Sequence, residues 1–247
     1  IVWWDVLRVL KKARTKKVRF FRDLTLHSKI AITATLILIF VGAAFIFAFE
    51  YNNPQTMGNY TLFQKIEVSL FQSVTTRTAG FATVPQENLT NASAIVCLLL
   101  MFIGGSPVGT AGGIKTVTFA VIIVAAIASI RNKEDTEVFG RRLTKQAVSK
   151  AVAVTCMSFI IMFTSTVLLS AVTDANALDI IYETVSATAT VGLTRNLTAS
   201  LGSAGKLIII ATMYLGRVGP ISLAVAFKRS KDNQNIIRNP IEEISVG

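Results

Sequence analysis

Residues 30–49 form a run of twenty without one charged side chain. At a rise of about 1.5 Å per residue such a run crosses ~30 Å, the thickness of a bilayer's hydrocarbon. A second uncharged run covers residues 151–172. Two further apolar stretches are interrupted. Residues 91–103 lead into Gly104-Gly105-Ser106-Pro107-Val108-Gly109-Thr110-Ala111-Gly112-Gly113 before apolar character resumes over 114–130. Residues 207–216 are followed by Arg217 and then by 218–227, with Gly219-Pro220 inside. Lipid does not repair a broken helical ladder, so such breaks are tolerated where protein or a watery cavity lines them. Taken singly, either could be an ordinary glycine kink. The composition agrees with a bilayer as solvent: 52% of residues are hydrophobic, 16% are charged and mean hydropathy is +0.57. That argues against a cytosolic enzyme, a disordered tail or a coiled coil, since soluble domains carry about a quarter charged residues. Cys97 and Cys156 both lie in apolar runs and read as small buried hydrophobes.

The formal charge of +11 is explained by where it sits. Nineteen of the 25 Lys and Arg fall in residues 8–29, residues 131–150 and the segment after 227. If successive spans go out and back, all three clusters lie on one side, which the positive-inside rule makes cytoplasmic. Nucleic acid is not needed to account for the charge, and no motif for it competes. The chain starts without Met, at Ile1-Val2-Trp3-Trp4-Asp5, and reads as one entered midway.

The opposite-side segments, 50–90 and 173–206, are too long for turns and too apolar for solvated loops. Each holds a short amphipathic run, 61–75 and 177–186, which predicts a re-entrant pore helix. A shift of 112 residues superimposes the two without a gap. Thr76-Arg77-Thr78-Ala79-Gly80-Phe81 falls on Thr188-Ala189-Thr190-Val191-Gly192-Leu193, Glu67 on Asp179, and Met101-Phe102-Ile103-Gly104 on Met213-Tyr214-Leu215-Gly216. The chain therefore reads as two copies of a helix–pore-helix–helix unit. Both copies run the same way through the membrane, so they are parallel and related by an axis along its normal. In T-x-T-x-G a short helix ends and extended backbone follows, its carbonyls available to replace an ion's water; glycine takes dihedrals that side chains forbid. The helix also aims its partly negative C-terminal end at a cation.

With Gly112-Gly113-Ile114-Lys115-Thr116, Gly216-Arg217-Val218-Gly219-Pro220 and Leu24-Thr25-Leu26-His27-Ser28-Lys29, these motifs resemble the membrane subunit of the Trk/Ktr/HKT superfamily of potassium transporters, bacterial Ktr/Trk type. The resemblance covers nearly the whole chain. It implies an all-α integral membrane fold of tandem M1-P-M2 repeats, K⁺-channel-like and pseudo-symmetric, in a multi-pass protein of the bacterial plasma membrane. The family carries four repeats, and the two here resemble the third and fourth, its C-terminal half. The expected divisions are 1–29, the end of a preceding helix and a basic cytoplasmic loop; 30–136, one repeat; and 137–247, a second repeat with a cytoplasmic tail. Thr78, Ala79, Gly80 and Phe81, with Thr190, Val191, Gly192 and Leu193, would form filter strands binding K⁺ through carbonyls alone. A gate would comprise Gly104, Gly105, Gly109, Gly112, Gly113, Lys115 and Arg217. Arg217 has two readings, a latch on the gate loop or a structural tie. No cofactor is expected, with K⁺ (Na⁺ as the alternative) the transported ion. Expected partners are the other two repeats, a homodimer mate, a cytoplasmic nucleotide-binding ring and membrane lipids, but no nucleic acid.

His27, the only histidine, cannot build a triad or zinc site alone and reads as interfacial. Glu67, Asp179 and Glu183 could concentrate cations at the outer mouth or pair with Lys65, Arg77 or Arg195. Arg77 is expected to brace the filter from behind. Three functions compete: a K⁺-conducting pore subunit, a coupled Na⁺- or H⁺-linked carrier, and a membrane enzyme. Parallel repeats disfavour the carrier. The absence of a convergent His, Asp, Glu or Cys cluster disfavours the enzyme.

Overall fold

The computed structural model describes residues 1–13, 20–107, 111–133 and 135–219. Gly109, Arg14, Lys16, Lys17, Arg19, Pro220 and everything beyond it lie outside the described residues.

Two helices are long and apolar enough to cross a membrane, α3 (Leu26–Glu50) and α7 (Lys145–Val172). Both begin at a threonine whose hydroxyl accepts from a backbone N–H of the first turn, Thr25 from Ser28 and Thr144 from Ala147. α3 follows α1 (Val2–Ala13) and a single turn, α2 (Phe20–Asp23). Asp5 of α1 accepts from both the backbone N–H and the hydroxyl of Thr25, each at 2.7 Å, so α1 is tied to the start of α3.

The short runs fold as expected into α4 (Leu62–Thr75) and α8 (Ala177–Thr188). Thr61 and Gln64 close a reciprocal capping box on α4, and Asn176 caps α8. After each comes a return helix: α5 (Asn91–Phe102) in the first copy and α10 (Ser203–Val218) in the second, beginning exactly 112 residues apart. The turn α9 (Leu197–Ser200) precedes α10.

The two return helices then part company. In the first copy α5 ends at Phe102 and α6 (Thr116–Ile130) begins beyond a non-helical stretch, of which residues 103–107 and 111–115 are described; this matches the expected break. In the second, Gly216 and Arg217 stay helical, which corrects the expected interruption at that point. The reason is steric. A methyl group on Gly216 would lie 2.1 Å from the Thr188 carbonyl oxygen, so the missing side chain seats the helix against the pore helix without breaking it. The departure comes at Gly219, with φ +84°.

A hairpin that the sequence did not announce joins the copies. β1 (Glu137–Val138) pairs antiparallel with β2 (Arg141–Arg142) across Phe139 and Gly140, both left-handed. α3 packs on α4, α5 and α6, while α7 packs on α8 and α10. Contacts of α5 with α8 and of α6 with α7 join the copies. The main core straddles that junction, placing Cys97, Leu100 and Met101 of α5 with Tyr182, Val185, Ala189 and Val191.

Candidate functional site

Each pore helix ends in the same unusual turn. Thr78 and Gly80 have φ of +70° and +79°; Thr190 and Gly192 have +54° and +94°. A left-handed β-branched residue is a true outlier, and here it recurs at equivalent positions 112 residues apart. The segments are thus not plain extended strands. Left-handed residues alternate with ordinary ones in both segments. In the first copy Ala79 and Gly80 N–H groups both return to the Thr75 carbonyl at 3.1 Å. In the second, Val191 N–H reaches Ser186 O at 2.9 Å and Gly192 N–H reaches the Ser186 hydroxyl at 3.2 Å. The donors are satisfied by the pore helix. Among the described residues, no hydrogen bond is accepted by the carbonyls of Thr78, Ala79, Gly80, Thr190, Val191 or Gly192.

The structure brings the two segments together. A methyl group on Gly80 would meet the Val191 carbonyl oxygen at 2.1 Å. Phe81 differs from its neighbours, because its carbonyl accepts from the Thr75 hydroxyl at 2.6 Å and so turns back on the pore helix. Its side chain is 70% exposed, whereas the equivalent Leu193 is buried in the junction core at 3%.

The broken stretch lies directly against these segments. A methyl on Gly112 would sit 2.4 Å from both the Ala189 carbonyl oxygen and the Thr190 hydroxyl, and one on Gly104 would sit 3.5 Å from the Thr78 methyl. The two ends of the stretch are tied to one another. Ile114 N–H donates to Phe102 O at 3.0 Å and Thr116 N–H to Gly105 O at 3.1 Å. Lys115 donates back to the Ala111 carbonyl. Gly113 takes the left-handed turn between them, φ +65°.

Arg77, at the start of the first segment, is held by three partners. Its guanidinium donates to Thr35 O of α3 and Gly104 O, both at 3.3 Å, and to the Thr116 hydroxyl at 2.9 Å. One side chain thereby joins the membrane span, the loop's first end and the start of α6. Arg217 lines a 540 Å³ cleft beside the second segment, together with Glu183, Thr190, Gly192, Thr198 and Tyr214.

The acidic residues divide. Asp179 pairs with Arg195 at 2.7 Å, while Glu183 accepts from the Thr194 hydroxyl at 2.6 Å and from Thr198. Arg195 also donates to the carbonyls of Gln86, Glu87 and Leu89 in the first copy, at 2.9, 3.2 and 3.3 Å. It therefore ties the second pore helix to the outer loop of the first repeat. Below it Tyr182 donates to Gln86 Oε1 at 3.1 Å, and Gln72 donates to the same oxygen at 2.6 Å. This cross-copy network escaped the sequence reading, since nothing in spacing marks a Tyr and a Gln 96 positions apart as partners. Lys65, considered as a partner for the carboxylates, instead donates to Tyr51 O at 2.6 Å and lies 3.9 Å over the Tyr51 ring. Among the described residues no group of three His, Cys, Asp or Glu could hold a metal ion.

Comparison with known proteins agrees with this architecture. The family model described as "TrkH: Cation transport protein" matches residues 3–238. Ktr system potassium uptake protein B of Bacillus subtilis is 40% identical over 231 residues, 94% of this chain and 52% of that protein. Its Vibrio alginolyticus namesake is 37% identical over 227 residues, 92% of this chain and 50% of that one. The chain thus spans about half the length of these relatives. The solved potassium transporter TrkH from Vibrio parahaemolyticus superimposes with a TM-score of 0.67 at 17% identity, covering 82% of this chain and 44% of that one, which shows a shared fold. The chain belongs to the TrkH family of cation transport proteins, integral proteins of the cell membrane.

Proposed function

We propose that this chain forms half of a K⁺-conducting pore, with residues 78–81 and 190–193 as two walls of its selectivity filter. The observation that carries the reading is the paired set of unpartnered carbonyls, each set held by left-handed Thr and Gly behind a pore helix. Backbone carbonyls at membrane depth need a partner, and a dehydrated cation supplies one while water supplies another. The relatives named as potassium uptake proteins support K⁺ as the ion. Phe81 and Leu193 close the ligand set at its far end in this reading; the Phe81 carbonyl also accepts from the Thr75 hydroxyl, and burial of the Leu193 side chain in the junction core leaves its carbonyl to the filter. Residues 30–136 and 137–247 are then the third and fourth repeats, and residues 1–29 the end of a helix before them with a basic loop.

The stretch 104–113 serves as a gate beneath the filter, with Lys115 and Arg217 beside it. Its contacts with Thr78, Ala189 and Thr190 support that place. Gly109 belongs to the same gate but lies outside the described residues. Two more repeats complete the pore, the complete subunit pairs with a second copy, and a cytoplasmic nucleotide-binding ring meets the basic loops. No site for a cofactor or enzymatic role is part of this reading.

Rubidium uptake into proteoliposomes holding the complete uptake protein tests it. Uptake that K⁺ competes away and that loses its preference over Na⁺ when Gly80→Ala and Gly192→Ala are combined is expected. Uptake that is unselective among Rb⁺, Na⁺ and Li⁺, or unaffected by the double variant, would overturn the filter assignment.

A further inference from the structure

A groove of 280 Å³ runs between α3 and α6. Ile30, Ala34 and Ile37 line one wall and Phe119, Ala120 and Ile123 the other. From Ile30 to Leu38 it extends over eight helical steps, about 12 Å. Ile37 and Ile123 are 55% and 44% exposed, so the groove opens outward. α3 is a spanning helix with most of its surface uncovered, and lipid is what an outward apolar groove at that depth meets.

Two observations set this groove apart from an ordinary lipid-facing surface. The first is its roof. Phe139, at the tip of the β1–β2 hairpin, lines the groove, yet its φ is +51°. Two-residue hairpin turns favour Asn, Asp or Gly at that position because a bulky side chain there is strained, by roughly 1–2 kcal/mol. The hairpin accepts that strain and sets a large ring, still 47% exposed, over an apolar slot.

The second is charge. Phe139 meets Phe21 edge to face at 5.7 Å, and the Lys29 ammonium lies 5.9 Å from the centre of the Phe21 ring. A cation therefore stands at the mouth of the groove, one residue before Ile30. Lys29 forms no ion pair among the described residues; its one hydrogen bond goes to the Arg22 carbonyl. Arg141, which pairs in the hairpin with groove-lining Val138, likewise has no ion pair among the described residues. Arg142, by contrast, is neutralised by Asp135 and Glu137. An apolar slot ending in uncompensated basic groups on the basic side of the protein matches an anionic phospholipid, tail inward and phosphate at the rim.

We propose that the α3–α6 groove seats one acyl chain of an anionic phospholipid, with Lys29 and Arg141 holding its phosphate and Phe139 closing over the chain. The site is independent of the pore reading, because it needs only a bilayer. Retained lipid can be counted by native mass spectrometry of the full protein released from mild detergent. The sample is first incubated with equal amounts of palmitoyl-oleoyl phosphatidylglycerol and palmitoyl-oleoyl phosphatidylcholine. The wild type is expected to keep a phosphatidylglycerol adduct in preference to phosphatidylcholine. Each basic group at the rim should contribute about fivefold to that preference, so Lys29→Gln and Arg141→Gln lower it stepwise without abolishing retention. Ala34→Trp fills the slot and should remove the adduct of either lipid; Ala120→Phe, on the opposite wall, provides the same test should the first variant fail to fold. Equal retention of the two lipids by the wild type, or an adduct that survives in a folded groove-filling variant, would overturn the assignment.

Discussion

Gly80 and Gly192 occupy the same place in the two copies but under different constraints. Both need a positive φ, which costs an L-residue about 1–2 kcal/mol. Around Gly192 a methyl group meets nothing within 4 Å, whereas at Gly80 it would strike the Val191 carbonyl at 2.1 Å. Gly192→Ala is therefore expected to fold with a small loss of stability, about 1–2 kcal/mol, and to lose K⁺ over Na⁺ discrimination as its carbonyls rotate. Gly80→Ala should lose discrimination and also several degrees of thermal stability, because one filter segment is pushed off the other. Paired rubidium and sodium uptake, together with melting in detergent, checks both; equal melting of the two variants would contradict the geometry. The need for glycine here was legible, since T-x-T-x-G repeats at a fixed offset. The left-handed Thr78 and Thr190 were not, because a β-branched residue is among the last that local propensity would put there.

At the scale of elements, α3, α7 and both pore helices follow directly from uncharged runs and amphipathic stretches. The broken helix was also legible, because the glycines and proline of 104–113 cannot hold a ladder. The continuity of α10 was not. Gly216 and Arg217 look like a break in sequence, yet the glycine answers to the approach of Thr188 and the helix runs on. The hairpin at residues 137–142 is likewise invisible to periodicity, having two residues per strand and a Phe where turn chemistry favours Asn. In the broken stretch, the ends are fastened by Arg77, Ile114 and Thr116, and the sequence of 104–113 holds no residue larger than Val. A sequence of small residues between two anchors offers few side chains to resist local opening. If 104–113 is the gate proposed above, deleting residues 107–110 is expected to raise K⁺ flux through the complete protein and to make it less dependent on the proposed cytoplasmic ring. Removing the anchor should act the same way: Arg77→Gln leaves the Gly104 carbonyl without its guanidinium. Flux and regulation unchanged by the deletion would make the stretch a structural kink.

For the whole molecule, the 112-residue offset lets exposure be compared position by position between the two copies. Ile95 and Leu207 are equivalent and both open, at 52% and 66%, as positions facing lipid in each copy should be. Met101 and Met213 are also equivalent, yet Met101 is fully buried beneath the second copy while Met213 is 50% exposed. The first copy's α5 surface is covered by α8; the same surface of α10, with Met213 and Tyr214, borders the open 540 Å³ cleft. At the other flank Phe81 and Val74 are 70% and 46% exposed, while their counterparts Leu193 and Ser186 are buried at 3% and 4%. On the half-pore reading proposed above, the open α10 face and the exposed Phe81 and Val74 are a socket and a plug for two further repeats that close a ring. If so, the complete protein treats the two exposed α10 positions differently. Trp at Met213 would overfill a packed junction, at roughly 1–3 kcal/mol, whereas Trp at Leu207 would meet only lipid and be tolerated. Met213→Trp is expected to lower both melting temperature and rubidium uptake, and Leu207→Trp to leave them near the wild type. Equal tolerance of both would mean that the α10 face is bathed in lipid, and that the symmetry of the two copies does not extend to a ring.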